Sequence, residues 1–99
     1  MKLKMMTGLV NDRAAIGVNA EDYTVRFNIF VITKPMSGEQ KLLVCIEADG
    51  GFSECLESKL ITTTLGRQGS VTYKDTVLKK TVVIGVDLTH NEAYVELDQ

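Results

Sequence analysis

The residues that most suggest chemistry lie in one short stretch, Ala48–Leu60, which reads ADGGFSECLESKL. A strand-like apolar run leads into Gly50 and Gly51, and Ser53 and Cys55 follow directly. A strand, a glycine turn and a helix start could direct backbone N–H groups at a phosphate. A cysteine in the first turn of a helix would have a lowered thiol pKa. The same pattern also fits glycines at positive φ in a turn, followed by a helix that Ser53 caps.

A phosphate site fits the surrounding residues poorly. A dinucleotide-binding loop needs three glycines in G-x-G-x-x-G spacing and a Walker loop needs Gly-Lys followed by Ser or Thr, and neither occurs at Gly50 and Gly51. Glu47 and Asp49 would also place negative charge beside a phosphate. The two carboxylates would lie on the same face of a strand, which is common at exposed surfaces and does not make them a catalytic acid–base pair. We therefore predict no cofactor and no catalytic carboxylates.

Cys55 is a stronger candidate than the glycine turn. With Ser53 as the cap it would lie in the first helical turn, but Glu54 and Glu57 would raise its pKa again. His90, the only histidine, lies in a polar loop far along the chain, so a Cys–His pair would depend on the fold. We expect both cysteines to be reduced and to pack as small apolar side chains. A thiol-dependent sensor or small enzyme centred on Cys55 is the alternative.

Metal binding has little support in the spacing of soft ligands. Cys45, Cys55 and His90 form no C-x-x-C or H-x-x-H pair. Asp87 and Glu92 flank His90 near the last predicted hairpin, where they would hold at most a weak adventitious ion. We assign no metal-binding residue.

One basic segment suggests nucleic-acid binding. Single-strand binding combines stacking aromatics with a cationic groove. The residues concerned are Arg67, Tyr73, Lys74, Lys79 and Lys80. One tyrosine and a few scattered cations on a chain of pI 5.3 are a weak match, and we do not expect a nucleic-acid partner.

The bulk properties are those of one globular domain. The chain has 99 residues, 44% hydrophobic and 24% charged, with a net charge of −2. Its apolar runs are shorter than the ~20 residues that a spanning helix needs. The start, MKLKMMTGLV, lacks the apolar core of a signal peptide. We expect a single soluble, cytoplasmic domain over residues 1–99 that does not associate with membranes.

Period-two alternation predicts most of the strands. Tyr23–Ile32 alternates strictly, and KPMSGEQ then supplies a turn before a strand over Lys41–Ala48. The end of the first strand, with Phe30 and Ile32, is apolar on both faces and is expected to be covered on both. Leu3, Met5 and Leu9 indicate an N-terminal strand, followed by a turn at VNDR and a short return strand at AAIGV. TVVIGVDL and YVELD indicate a last hairpin around the loop THNEA.

The middle of the chain fits either a helix or strands. Phe52, Leu56 and Leu60 have helical spacing, whereas the β-branched run LITTTL at residues 60–65 favours a strand. We predict a short helix over about residues 54–62, a loop at GRQGS and a strand at VTYKD. The fold class is thus α+β, a mainly antiparallel sheet of about 5–7 strands with one helix packed on it. The alternative is an all-β sandwich or barrel in which LITTTL and SVTYKD form a hairpin across GRQG.

The missing catalytic signatures favour a non-enzymatic protein-interaction module: an adaptor, an inhibitor or a small subunit of an assembly. Strand-rich domains leave sheet edges that a partner strand can pair with. A protein partner or self-association is therefore expected, with a homodimer favoured because symmetric dimers are the commonest oligomers. Besides the thiol-dependent alternative, a third hypothesis is a binding domain for a small apolar ligand.

Overall fold

The computed structural model describes residues 2–20, 23–36 and 38–98, which contain nine β-strands and no helix. The strands are β1 (Lys2–Gly8), β2 (Arg13–Ala20), β3 (Tyr23–Met36), β4 (Glu39–Ala48), β5 (Ser53–Lys59), β6 (Ile61–Thr63), β7 (Gly66–Asp75), β8 (Lys80–Asp87) and β9 (Glu92–Asp98). Five of them form sheet A, in the order β1-β9-β8-β7-β6, and four form sheet B, in the order β2-β3-β4-β5. Every pairing is antiparallel. The predicted α+β class is therefore wrong.

The inner faces of the two sheets meet in one hydrophobic core. Alternate residues of the central strands supply it, as period-two patterning requires. The buried apolar residues of the strands are Ile16, Val18, Val25, Phe27, Ile29, Val31, Leu42, Val44, Ile46 and Ala48 in sheet B and Val71, Tyr73, Val82, Ile84, Val86, Ala93, Val95 and Leu97 in sheet A. The alternative fold, an all-β sandwich, is thus the one observed, and the two sheets do not close into a barrel.

The predicted helix over residues 54–62 is replaced by β5 and β6. Leu56 lies opposite Val44 of β4 and turns toward the core, while Ser53 pairs with Glu47 and caps nothing. The chain passes from sheet B to sheet A at Leu60, between the two strands. The helical spacing was misleading because cross-strand packing, which is non-local, outweighs weak local propensity.

The hairpin around the β-branched run has a tighter turn than the alternative fold predicted. Thr63 of β6 pairs with Gly66 of β7, so the turn is Thr64–Leu65. The segment GRQGS, predicted as a loop, is the start of β7. Gly66 has a φ of 143°, which favours glycine at this position.

The predicted turn at VNDR is confirmed, but the strand after it does not return along β1, because β1 pairs with β9 and β2 pairs with β3 in the other sheet. At VNDR, Val10 and Arg13 exchange backbone hydrogen bonds of 2.9 and 3.1 Å around Asn11 and Asp12, both at positive φ. The β3–β4 and β8–β9 hairpins also form where the alternation predicted them. However, Ile32 lies on the outer face of β3 and is 37% exposed, whereas it was expected to be covered. The Tyr23 side chain and Ser37 lie outside the described residues.

The two sheets are in direct contact where β5 faces β7. The Ser70 N–H donates to the Ser58 hydroxyl at 3.0 Å. A Cβ at Gly69 would lie 2.7 Å from a Leu42 methyl and 3.1 Å from the Lys59 carbonyl oxygen, so only glycine fits there without displacement. In the described ranges, no helix is long and apolar enough to cross a membrane.

Candidate functional site

Cys45 and Cys55 form a disulfide between β4 and β5. They are direct register partners, with Cα atoms 3.9 Å apart. The Ala48 N–H donates to the Phe52 carbonyl, so Ala48 and Phe52 are a hydrogen-bonded pair of the β4–β5 ladder. Because hydrogen-bonded and non-hydrogen-bonded pairs alternate, Cys45 and Cys55 form a non-hydrogen-bonded pair, in which facing side chains come closest. The expectation of two reduced, packed thiols is therefore wrong. Cys55 lies on an exposed strand and not in a helical first turn.

A depression of about 810 Å³ lies on the outer face of sheet B, over this disulfide. One row of cross-strand neighbours (Arg13, Phe30, Cys45 and Cys55) crosses all four strands along its floor. The Arg13 guanidinium carbon lies 4.6 Å from the centroid of the Phe30 ring, in a cation–π contact. No local sequence pattern points to Arg13 and Phe30 as part of this site, because their proximity to the cysteines follows from strand register, which local alternation does not reveal.

The outer edge of β2 carries backbone groups that no strand pairs with in the part of the chain described. The Val31 N–H donates to the Asp12 carbonyl at 2.9 Å, which sets the phase of the β2–β3 ladder. In that phase Ala15, Gly17 and Asn19 direct their N–H and C=O groups away from β3. All three residues are exposed. They form the β2 edge, defined here as the outward backbone groups of these three residues.

The other sheet edges have features that discourage pairing. β1 carries Lys2 and Lys4, and β6 has only three residues. β5 carries Glu57 and Lys59 and is joined to its neighbour by the disulfide. Short strands and charged side chains are standard protection against strand addition. By contrast, the only charged residue of β2 is Arg13, at its first position.

The inner face of β1 is incompletely covered. Met5 lies opposite Val95 of β9 and shares its face, yet Met5 is 40% exposed while Val95 is fully buried. Leu3, on the same face, is only half-buried. β1 is the edge strand of sheet A, so Met5 and Leu3 have a neighbouring strand on one side only, whereas Val95 has one on each side. β2, the edge strand of sheet B on this side, contacts both β1 and β9. A strand added to the β2 edge would extend sheet B on the side of β1.

Asp87, one of the two acids predicted near the last hairpin, makes a close contact with His90. His90 Nδ1 lies 2.7 Å from Asp87 Oδ2, and the Thr89 and His90 N–H groups donate to Asp87 Oδ1. The hydrogen bond from His90 lowers the pKa of Asp87, and the same contact raises the pKa of His90. Within the described residues, no group of three or more His, Cys, Asp or Glu side chains is arranged to hold a metal ion.

The residues considered for phosphate and nucleic-acid binding make contacts within the fold. Gly50 and Gly51 both have positive φ in the β4–β5 turn, where the Asp49 carboxylate accepts the Arg26 N–H at 3.0 Å. Tyr73 is buried, and its ring stacks on Phe52 with centroids 3.9 Å apart, so it presents no free face to a base.

A buried carboxylate, which no local sequence pattern marks, lies at the β7–β8 turn. Asp75 is 2% exposed and accepts hydrogen bonds from the Val77 N–H, the Leu78 N–H and the Tyr73 hydroxyl. Burial, followed by the nearby Asp75 charge, raises the pKa of Tyr73 strongly. Because Asp75 holds the turn DTVLKK in shape, its contacts indicate a structural role.

Comparison with protein-family models, with curated proteins and with solved structures found no significant match to this chain.

Proposed function

We propose that this chain is a non-enzymatic protein-interaction module that acts through the β2 edge. The observation that carries the proposal is the run of outward backbone groups at Ala15, Gly17 and Asn19, on an edge without the charges that protect β1 and β5. Backbone groups at a sheet edge gain hydrogen bonds when a partner strand adds to them. Either a second copy of the chain or a different protein could supply that strand.

Light scattering combined with one edge variant tests this proposal. Gly17→Pro removes an outward N–H but none of the bonds to β3, because proline is tolerated at the outward positions of an edge strand. We expect wild type to form a dimer or a stoichiometric complex, and Gly17→Pro to lose it. The matched control is Glu57→Pro, which places proline at an outward position of the β5 edge and leaves association intact. A monomer without a partner, or equal loss in both variants, would contradict the proposal.

A second candidate is a thiol-dependent redox sensor, favoured by the Cys45–Cys55 pair in the outer depression. Forming the disulfide removes two electrons and two protons from the thiols, and oxidised glutathione would accept them to become two glutathione molecules. The sensor would act through the pair and not through Cys55 alone. Equilibration with glutathione buffers, followed by alkylation and mass spectrometry, tests it. If the pair stays oxidised at the glutathione redox potential of the cytosol, the sensor hypothesis is contradicted.

The Cys45–Cys55 pair makes the compartment testable. We propose that the protein is cytoplasmic, in which case the cell would keep part of the pair reduced. Disulfides persist mainly in oxidising compartments. Trapping the thiols by rapid alkylation in cells tests this assignment, because complete oxidation in the cell would place the protein elsewhere.

A further inference from the structure

We infer that the β2 edge accepts an extended segment of a different protein as a fifth strand of sheet B, and that this segment alternates apolar with acidic side chains. The inference rests on the proposed function and specifies its partner. Three features of the described residues lead to it: the backbone groups of the β2 edge, the partly exposed inner face of β1 and the cations near the edge on the outer face of sheet B.

The backbone groups set the length of the segment. The β2 edge presents one N–H and one C=O at each of Ala15, Gly17 and Asn19, all pointing the same way. At roughly 3.3 Å per residue, a segment of about five to seven residues spans them. The first outward position of β2, Arg13, already exchanges both its backbone bonds with Val10, so pairing starts beyond it.

The inner face of β1 sets the apolar positions. Alternate side chains of the added strand would point to the same side as Ile16 and Val18 of β2, which are 4% and 1% exposed. There they would lie against Met5 and Leu3 of β1, which sheet B leaves partly uncovered. Apolar residues at every second position of the segment would bury this surface.

The charges bordering the edge set the remaining positions. On β2 the charged side chain that the structure describes is Arg13, which lies on the outer face of sheet B over the Phe30 ring. Arg26 of β3 lies on the same face and is the register partner of Gly17. Acidic residues at the outer-face positions of the segment would complement these two cations, and cationic ones would be repelled.

A second copy of the chain fits the edge less well than a single strand does. The inner face of β2 is already buried beneath its own sheet A. A copy that paired β2 with β2 would therefore bring its own sheet A up against β1, which already occupies that side of the β2 edge. One extended segment brings no such layer.

Titration of the isotope-labelled full-length chain with synthetic peptides tests this inference. The probe is a ten-residue peptide that alternates valine or isoleucine with glutamate. One control replaces each glutamate with lysine, and a second has the same composition with the apolar residues clustered. We expect only the alternating acidic peptide to shift the amides of Ala15, Gly17 and Asn19 and to slow their hydrogen exchange.

Two variants examine the geometry separately. Gly17→Pro should lower the affinity for the acidic peptide at least tenfold. Met5→Ser, which leaves the edge intact, should lower that affinity several-fold. Glu57→Pro should change nothing. Urea midpoints for each variant show that it is folded.

The outcomes separate the inference from the proposed function. Equal binding of the lysine peptide, or shifts confined to the outer depression, would overturn the inference. A dimer lost in Gly17→Pro, with no binding of the acidic peptide, would overturn the inference while supporting the proposed function. A monomer that binds neither peptide nor protein would overturn both.

Discussion

Met5 of β1 and Val95 of β9 are register partners on one face of sheet A, yet Met5 is 40% exposed and Val95 is fully buried. The difference arises because β1 is the edge strand of sheet A, so Met5 has a neighbouring strand on one side only, whereas Val95 lies between β1 and β8 and packs in the core. This relationship links the packing of the sandwich to the surface proposed for binding.

The unequal cover of Met5 and Val95 has a direct consequence for stability. Val95→Ala should lower the free energy of unfolding by about 2 kcal/mol or more, since it leaves a cavity in packed surroundings. Met5→Ala should cost under about 1 kcal/mol, because that side chain is already partly in water. Urea unfolding of both variants measures the difference. Equal costs would show that β1 is covered and would remove one support of the binding proposal.

Asp75 should be important for stability. Asp75→Ala leaves the Val77 and Leu78 N–H groups without their carboxylate acceptor at a buried turn, and about 2–4 kcal/mol should be lost. Asp75→Asn keeps one acceptor oxygen and should cost less. Tyr73→Phe is the control, because it removes only the hydroxyl donor. Thermal and urea unfolding of the three variants should rank them in this order of severity: Ala, then Asn, then Phe.

The His90–Asp87 pair should make stability depend on pH within a defined window. The pKa of His90 is raised, so its contribution is complete below about 6.5 and is lost as pH rises through the raised value. The pKa of Asp87 is lowered, so its contribution is complete above about 3.9 and is lost as pH falls through the lowered value. The Tm difference between wild type and His90→Gln should therefore be largest between about pH 4 and 6.5.

An NMR titration of the His90 ring checks the cause of that window. The pKa should lie above about 6.5 in wild type and return toward that value in Asp87→Asn. An unshifted pKa in wild type would contradict the pairing seen in the β8–β9 turn.

The disulfide should stabilise the β4–β5 hairpin. Its half-cystines are ten residues apart, and closing a loop of that size in the unfolded chain contributes at most about 2–3 kcal/mol. A Cys45→Ser, Cys55→Ser double variant should be less stable than oxidised wild type and should match reduced wild type. Urea unfolding with and without a reducing agent measures this. If the free energy of unfolding of wild type is the same with and without the reducing agent, the disulfide does not stabilise the hairpin.

Much of the fold could be predicted from local patterns. The alternation of apolar residues in β3 and β9 identified their buried faces, and the glycines after β4 identified a turn. The region around Leu56 could not be predicted in this way, because its apolar residues also fit a helical period. Leu56 packs in a strand because Val44 lies opposite it, and that contact exists only once β4 and β5 have paired.

The candidate site was beyond local patterns for the same reason. Nothing in the segment RAAIGVNA distinguishes an edge strand from a central one, and nothing in the positions of Cys45 and Cys55 shows that they share a register.

The sequence by itself therefore determined the β-rich character of the chain, most turns and the inward residues of the regular strands, because these follow from the alternation of side chains and from backbone preferences within a few residues. Only the tertiary structure decided the strand order, the disulfide partners, the exposure of Met5 and the free edge at Gly17. These depend on pairing between strands distant in the chain, which is selected by the burial of the whole core and not by any one segment.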